Sequence, residues 1–291
     1  NDAITAFKVG GIVLIIAAAF IVGRGSLSNL TEVAPQFYSM SSPDRMSAFA
    51  TSLIFVSFCY LGWNGSAYMA AEMKDPQRVL PRSLLIGTVV VTVLYFLLNL
   101  MYFYGAGVSG LAGQLEVGLV ASENLFGNVG VTLVTLVLCV SIFASASAMT
   151  IAGPRVYYAF GHDFPLLGWL SKSSPKTGSP WPALVLQGVI ISCIILSGTV
   201  NQILQYAGFT LTLFASIAVS CVIVLRIRKP DMERPFKTWG YPVTPLLFLT
   251  VSAWTMVWAI RGRPVESLLG LATAAIGGAI FYGLSLRARA R

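Results

Sequence analysis

Long apolar stretches alternate with short polar links along almost the whole chain. A helix that crosses a bilayer needs about 20 consecutive apolar residues, and eight stretches reach or approach that length: residues 3–23, 46–73, 83–105, 128–153, 183–199, 203–225, 243–260 and 267–286. The links between them hold most of the Pro, Asp and Lys residues, as is typical of loops. The pattern therefore predicts an all-α polytopic membrane protein, with residues 1–291 forming a single transmembrane domain.

The composition excludes an ordinary soluble protein. Of the 291 residues, 56% are hydrophobic and only 10% are charged, whereas a soluble domain has about 25% charged residues. The four cysteines lie in apolar stretches without C-x-x-C spacing, which favours small core residues over a zinc site or a disulfide framework: Cys59, Cys139, Cys193 and Cys221. The sequence therefore predicts no metal site and no cofactor.

The basic residues are distributed unevenly between the links. If the N-terminus is cytoplasmic, the inner links and the inner tail hold 14 of them: Lys74, Arg78, Arg82, Arg155, Lys172, Lys176, Arg226, Arg228, Lys229, Arg234, Lys237, Arg287, Arg289 and Arg291. The outer links hold four: Arg24, Arg45, Arg261 and Arg263. This bias predicts a multi-pass protein of the cell (inner or plasma) membrane with both termini in the cytoplasm. It also explains the net charge of +8 without a nucleic-acid partner.

The second apolar stretch contains a sequence that weakens a helix near its middle. The apolar run 49–61 is followed by Gly62, Trp63, Asn64, Gly65 and Ser66, and glycine is a poor helix former. Unwound backbone is stable within a membrane only where it is buried in protein or lines a water-filled cavity. Its free polar groups can bind a charged small molecule. A simple kink or a close helix contact is the alternative, and both stay open. At the inner end, Glu72 is predicted to form an ion pair with Lys74 or Arg78.

Polar side chains also occur inside the first and fourth stretches. A charge within a membrane span indicates a functional role, but Lys8 is about a turn and a half from the inner boundary and could extend its ammonium to the interface. The fourth stretch carries Ser141, Ser145, Ser147 and Thr150. Ser141 and Ser145 share a helix face, although such hydroxyls often bond to their own backbone.

Other classes of membrane protein lack support in the sequence. An intramembrane enzyme would need a metal pair, an acidic or serine dyad, or a histidine base within the spans. No Asp or Glu lies deep in any stretch, and the single histidine, His162, falls in a predicted inner loop. A channel would need a filter or a repeated charge motif, and neither is visible. The chain is therefore not expected to be an enzyme.

Three segments resemble one family of transporters. Residues 58–64 and 71–82 resemble the sixth helix and following loop of amino acid–polyamine–organocation (APC) transporters, most closely the L-type and related bacterial amino-acid permeases. Residues 145–165 resemble the eighth helix of that family and its inner exit, and residues 226–242 resemble the loop after the tenth helix. The resemblance covers nearly the whole chain.

The resemblance implies a partial LeuT-like inverted-repeat fold. The eight stretches correspond to helices five to twelve of the family. Residues 1–25 would be the last helix of the first repeat, residues 46–225 the second repeat with its broken first helix, and residues 243–286 two accessory helices. The first four helices have no counterpart here, and the chain starts with Asn1 rather than Met. We therefore expect the chain to be a piece of a longer protein.

The resemblance also implies which residues bind substrate. The backbone carbonyls of Phe58, Cys59 and Leu61 would face the substrate ammonium, and the Phe58 ring would close over the site from outside. Gly62 lies in the unwound part, and Asn64 would hold that part or touch substrate. The substrate carboxylate would be bound largely by the family's first helix.

A second site follows from the same resemblance. Lys8 corresponds to a fifth-helix lysine that, in sodium-independent members, stands where related transporters bind sodium. A hydroxyl of the fourth stretch would pair with it, Ser145 in the first place and Ser147 in the second. An ammonium can replace Na⁺ as the charge that ties two helices together, and its proton can come and go if burial lowers its pKa.

Together these features predict a secondary active amino-acid transporter that works by alternating access without sodium. Neutral amino acids are favoured, because no acidic or basic residue lies in the broken segment. Exchange (antiport) and proton coupling both stay open, so the partners are the amino acid, the lipid bilayer and, for the second mechanism, protons. The sequence identifies no accessory subunit. The alternative is an inactive truncated permease, and we expect residues 1–291 alone to transport negligibly.

Overall fold

The computed structural model describes residues 2–68, 70, 73–234 and 236–289. Within these residues the chain forms ten α-helices and two 3₁₀ turns and contains no strand. The helices are α1 (Asp2–Ile21), α2 (Pro35–Ser39), α3 (Ser42–Cys59), α4 (Trp63–Tyr68), α5 (Pro76–Leu111), α6 (Val117–Asp163), α7 (Trp181–Ser197), α8 (Val200–Arg228), α9 (Val243–Gly262) and α10 (Pro264–Arg289). The 3₁₀ turns are Leu27–Thr31 and Pro165–Ser171. The predicted all-α class is confirmed.

Six of the described helices are long and apolar enough to cross a membrane: α1, α5, α6, α8, α9 and α10. The fifth predicted stretch corresponds to α7, which is apolar but has only 17 residues. The second is divided between α3 and α4. Many large apolar side chains along these helices are exposed. Helices that are apolar over most of their surface are typical of membrane spans, and the chain is a multi-pass membrane protein.

Two helices extend further than the apolar stretches predict. In α5 and α6, a glycine with a positive φ interrupts a continuous helical segment, at Gly107 (φ 65°) and Gly127 (φ 66°). Helix α6 continues past Pro154 to Asp163, so the loop predicted around His162 is wrong. The His162 ring lies in the last turn of α6 and contacts the Tyr158 ring edge-on, with 4.8 Å between the centroids. Polar residues thus continue the helix after the apolar pattern has ended.

The chain divides into two compact units. Unit 1 comprises Asn1–Met40 and Arg82–Thr150, and it contains α1 and most of α5 and α6. Its core joins Ile16 and Ala19 of α1 to Met101 of α5 and Leu125 of α6. These apolar side chains bury their surfaces against one another.

The division at residues 1–25, 46–225 and 243–286 that the repeats imply stays a prediction.

A carboxylate holds the kink of α5 within unit 1. Glu32 accepts hydrogen bonds from the Val108 backbone N–H (2.9 Å) and from the Ser109 hydroxyl. A Cβ atom on Gly107 would overlap the Glu32 carboxylate, and the positive φ of Gly107 also favours glycine. Glu32 therefore satisfies the backbone donor that the kink leaves without a helical partner.

Unit 2 comprises Ser41–Pro81 and Ile151–Arg291. Helices α3, α8, α9 and α10 pack against one another, and α7 contacts α8 and the turn Pro165–Ser171. Ile54 of α3, Phe209 of α8 and Ala259 of α9 form the centre of this packing. Helices α8 and α9 pack against α3, which ends directly before the segment where the second apolar stretch is interrupted.

The four cysteines are exposed on the helix surfaces, and no disulfide joins them within the described residues. Their interpretation as core residues is therefore wrong. A thiol is small and weakly polar, so an outward position on an apolar helix leaves no strong hydrogen-bonding group unsatisfied.

Candidate functional site

The second apolar stretch is interrupted by a three-residue turn. Helix α3 ends at Cys59, and α4 begins after residues 60–62. The Tyr60 N–H donates to the Ser57 carbonyl oxygen and the Leu61 N–H donates to the Phe58 carbonyl oxygen, both at 3.1 Å. These bonds connect residues three apart, whereas an α-helix connects residues four apart. The helical hydrogen-bond series therefore stops at the C-terminal end of α3.

Gly62 completes this interruption. Its φ of 118° lies in the region that side chains of L-residues rarely adopt. The Gly65 N–H donates to the Gly62 carbonyl oxygen at 3.0 Å, which begins α4. The predicted weak region was 62–66, and the break lies at 60–62. Gly62 alone belongs to both, because Trp63 to Ser66 are helical.

All five predicted substrate-binding residues lie at this break. Phe58 and Cys59 are the last two residues of α3, Leu61 and Gly62 lie in the turn, and Asn64 lies in α4. The side chain of Asn64 is outside the described part of the structure. The Phe58 carbonyl oxygen accepts a hydrogen bond from the Leu61 N–H and is also approached by the Tyr60 N–H at the end of α3, and a carbonyl oxygen has two lone pairs.

A glycine of α8 brings that helix close to α3 beside the break. A Cβ atom on Gly208 would lie 2.8 Å from Ile54 Cγ2 and 3.9 Å from Phe58 Cβ. Gly208 is itself buried. Small residues at helix contacts allow such close approach in membrane proteins. The sequence analysis did not select Gly208, although a glycine inside an apolar helix was a signal that could have identified it.

The second predicted site lies in unit 1 beside an open cavity of about 390 Å³. Lys8 of α1 and Ser145 of α6 both line it, so the structure brings these two predicted residues to one cavity. Most of the remaining lining is apolar and comes from α1, α5 and α6. No acidic side chain occurs among its described lining residues. A partly buried ammonium therefore faces hydroxyl groups here and no carboxylate.

The hydroxyls at this cavity differ in what they bond to. Ser141 lines the cavity but donates to the Val137 carbonyl oxygen at 2.7 Å. Ser145 makes no hydrogen bond within the described residues, so its hydroxyl is available. Ser147 is not among the lining residues. Tyr95 and Tyr102 also line the cavity, and sequence reasoning missed both because they look like ordinary aromatic residues of an apolar helix.

The ion pair predicted at the inner end of the broken stretch involves Glu72, which lies outside the described residues, so it stays a prediction. Arg78 pairs with Asp75, with Nε 3.9 Å from Oδ2, and both side chains are largely exposed. Exposed pairs of this kind contribute roughly 0–1 kcal/mol. The pair therefore has little influence on how the segment around the break is held.

Comparison with protein families gives one match over nearly the whole chain. Residues 1–281 match the model of a family described as "Amino acid permease". The match includes both the break and the cavity beside Lys8.

Curated relatives are similar over most of this chain but are much longer. The b(0,+)-type amino acid transporter 1 of Rattus norvegicus is 28% identical over 275 residues, which are 94% of this chain and 54% of the relative. Large neutral amino acids transporter small subunit 2 of Homo sapiens is 27% identical, over 97% of this chain and 52% of the relative. The cystine/glutamate transporter of Homo sapiens is 26% identical, over 77% and 44%. The chain spans about half the length of the curated relatives that it matches.

Proposed function

Because the chain belongs to the amino acid permease family, we propose that it carries amino acids across the membrane as a secondary active transporter by alternating access. The observation that carries this proposal is the interruption of the apolar helix at residues 60–62. Unwound backbone in a membrane needs polar partners, and a small zwitterion can supply them. The named relatives are transporters and none is an enzyme, which supports the expectation that this protein is not an enzyme.

In this proposal, backbone groups bind the part that all amino acids share. The carbonyl oxygens of Phe58, Cys59 and Leu61 accept hydrogen bonds from the α-ammonium group, and the Phe58 ring covers it. Gly62 allows the turn that exposes these oxygens, and Asn64 supports it. Backbone atoms do not distinguish side chains, so specificity comes from the rest of the pocket.

Neutral amino acids fit the broken segment best. Residues 57–68 contain no Asp, Glu, Lys, Arg or His. A cationic or anionic side chain would therefore lose water at this segment without gaining a charged partner, which is costly in a membrane. The printed name of one relative, the large neutral amino acids transporter, supports the same substrate class for this chain.

We assign the coupling of transport to its driving force to the cavity beside Lys8 in unit 1. The Lys8 ammonium interacts with the Ser145 hydroxyl and connects α1 to α6 without a sodium ion. Transport then proceeds by exchange of amino acids or with protons.

The test is uptake of labelled amino acids into proteoliposomes that contain the protein expressed from the complete open reading frame. Leucine and alanine represent neutral substrates, with lysine and glutamate as charged comparisons. Uptake that requires unlabelled amino acid inside the vesicles indicates exchange, and uptake driven by a pH gradient alone indicates proton coupling. Replacing Na⁺ with K⁺ should leave the rate unchanged.

Two results would contradict parts of the proposal. The transporter function would be overturned if none of the four amino acids showed uptake or counterflow and if none of them bound to the protein in a thermal-shift assay. Uptake that requires Na⁺ would overturn only the assignment of Lys8 as a substitute for sodium.

A further inference from the structure

The segment after α8 forms an open cavity of about 510 Å³ that is lined by three basic side chains. Arg226 lies in the last turn of α8, and Arg234 and Lys237 lie in the link to α9. The other described lining residues are uncharged: Pro230, Thr238, Gly240 and Tyr241. Asp231 and Glu233 belong to the same link but do not line the cavity. The cavity is therefore a concentrated region of positive charge.

Arg234 holds the link in a defined shape. One of its terminal nitrogens, Nη1, donates to the carbonyl oxygens of Pro230 (2.8 Å) and Met232 (2.7 Å). The other, Nη2, donates to those of Lys229 (2.7 Å) and Leu225 (3.3 Å). A cation at the C-terminal end of a helix is also favoured by the helix dipole. The guanidinium keeps its charge, so Arg234 both shapes the cavity and contributes to its positive potential.

The other two cations remain available to a ligand. The guanidinium carbon of Arg226 lies 3.8 Å from the centre of the Tyr241 ring, and this stacking fixes the plane of the group. Its N–H groups donate to no other described residue. Lys237 is exposed and makes no hydrogen bond or ion pair within the described residues. An arginine held in position beside a mobile ammonium suits an oxygen-rich anion such as a phosphate group.

The location of the cavity indicates where such an anion comes from. Helices α8 and α9 are both long and apolar enough to cross a membrane, so the link between them lies at a membrane surface. Anionic phospholipids concentrate phosphate groups at that depth, and each nearby Lys or Arg contributes about 1 kcal/mol to the attraction. We propose that this cavity binds the phosphate of an anionic phospholipid headgroup through Arg226 and Lys237.

The experiment compares lipids and variants in the purified full chain. The probes are phosphatidylglycerol and the zwitterionic phosphatidylcholine, added to the detergent-solubilised protein, with inorganic phosphate as a soluble alternative. The readouts are the shift in Tm and the number of lipids retained in native mass spectrometry. Arg226→Gln and Lys237→Gln each remove one charge from the cavity. Arg228→Gln is the matched control, because Arg228 is exposed in the same helical turn but does not line the cavity.

Phosphatidylglycerol should raise Tm and remain bound, and phosphatidylcholine should do neither. Each cavity variant should bind phosphatidylglycerol about fivefold more weakly, as expected for one lost charge, and Arg228→Gln should bind it normally. Lys237 has no partner in the described structure, so Lys237→Gln should fold as well as the parent chain. Its Tm without lipid checks this.

Three outcomes decide the proposal. Equal losses in all three variants would overturn it, since they would indicate attraction to surface charge in general. Unchanged binding in both cavity variants would also overturn it. If millimolar inorganic phosphate reproduces the Tm shift and displaces the lipid, the site binds phosphate groups but its ligand is a soluble anion, which overturns the lipid assignment.

Discussion

At the scale of single residues, Lys8 offers the most direct test of how transport is coupled to its driving force. Its ammonium lines a largely apolar cavity with no acidic neighbour among the described lining residues. We predict that Lys8→Met lowers the initial rate of amino-acid uptake by at least roughly fivefold, the lower end of usual coupling energies. If transport is proton-coupled through Lys8, the variant should also flatten the dependence of that rate on pH. Uptake into proteoliposomes over a range of pH measures both quantities.

Two serines of α6 provide the matched comparison for this prediction. Ser145→Ala should reduce uptake in the same direction as Lys8→Met, because its hydroxyl lies at the cavity and has no other partner within the described residues. Ser147→Ala should have little effect, since Ser147 does not line the cavity. Wild-type rates and pH dependence in Lys8→Met would show that the assigned role of the lysine is wrong.

Gly62 carries a prediction about the stability of the break. Its φ of 118° is unfavourable for any side chain, and a strained residue of this kind costs about 1–3 kcal/mol. Gly62→Ala should therefore lower the Tm of the solubilised protein by a few degrees and weaken substrate binding.

Gly65→Ala is the control for that measurement. Gly65 lies in α4, has an ordinary φ and has open space where a Cβ would be. Alanine is the better helix former by about 0.5–1 kcal/mol, so this variant should keep or raise Tm. A Gly65→Ala variant that loses as much stability as Gly62→Ala would mean that the strain is not located at the turn.

At the scale of helices, the contact between α3 and α8 decides how the break is supported. A Cβ on Gly208 would lie 2.8 Å from Ile54 Cγ2, which belongs to the buried core of unit 2. We predict that Gly208→Ala costs roughly 1–3 kcal/mol through overpacking and lowers substrate affinity by moving α8 away from Phe58. Thermal unfolding and ligand-dependent shifts in Tm measure the two effects.

The comparison variant is Gly188→Ala on α7, where a Cβ would meet nothing within 4 Å. It should keep or slightly raise Tm, because alanine is the better helix former, and it should leave substrate affinity unchanged. If Gly208→Ala is equally harmless, then α3 and α8 can separate slightly without consequence, and their close approach does not support the site.

Local propensity predicted the existence of the break but not its position. Gly62 and Gly65 weaken a helix equally in isolation. In the structure, Gly62 lies in the turn with a φ of 118° while Gly65 is helical, and local propensity does not distinguish two glycines so close together. The kinks at Gly107 and Gly127 were missed for a related reason. The partner that holds the first kink, Glu32, lies 75 positions before Gly107 in the sequence, and apolar periodicity contains no information about such a contact.

At the scale of the whole molecule, the distribution of basic residues makes a prediction about topology. The 14-to-4 bias of Lys and Arg between alternate links predicts that both termini lie in the cytoplasm. A membrane-impermeant maleimide applied to intact cells should label Gln114→Cys, in the link between α5 and α6. It should label Lys176→Cys, in the link before α7, only after permeabilisation.

The background for this measurement must lack the native cysteines, because all four are free and exposed. The parent without cysteines is the negative control. Labelling of Lys176→Cys and protection of Gln114→Cys in intact cells would reverse the predicted orientation.

The all-α membrane class of the molecule was predictable because a bilayer permits few backbone structures. Backbone N–H and C=O groups in hydrocarbon must form hydrogen bonds within the segment. Long apolar stretches were therefore expected to be helices, and the structure contains these helices. Details set by side-chain geometry were not predictable in this way. The four bonds of Arg234 to backbone carbonyls depend on the path of the link after α8, which no periodic pattern describes.

The turn at residues 60–62 also has a mechanical consequence. A 3₁₀ segment advances about 120° per residue and an α-helix about 100°, so rewinding Tyr60 and Leu61 to α-helical bonding would rotate the following segment by about 40°. The bonds that would have to break join the Tyr60 N–H to the Ser57 carbonyl oxygen and the Leu61 N–H to the Phe58 carbonyl oxygen. In the proposed function, a lone pair of this Phe58 oxygen receives the substrate ammonium. In a continuous α-helix the same oxygen would accept from the Gly62 N–H, so bound substrate favours the turn and opposes this rotation of α4.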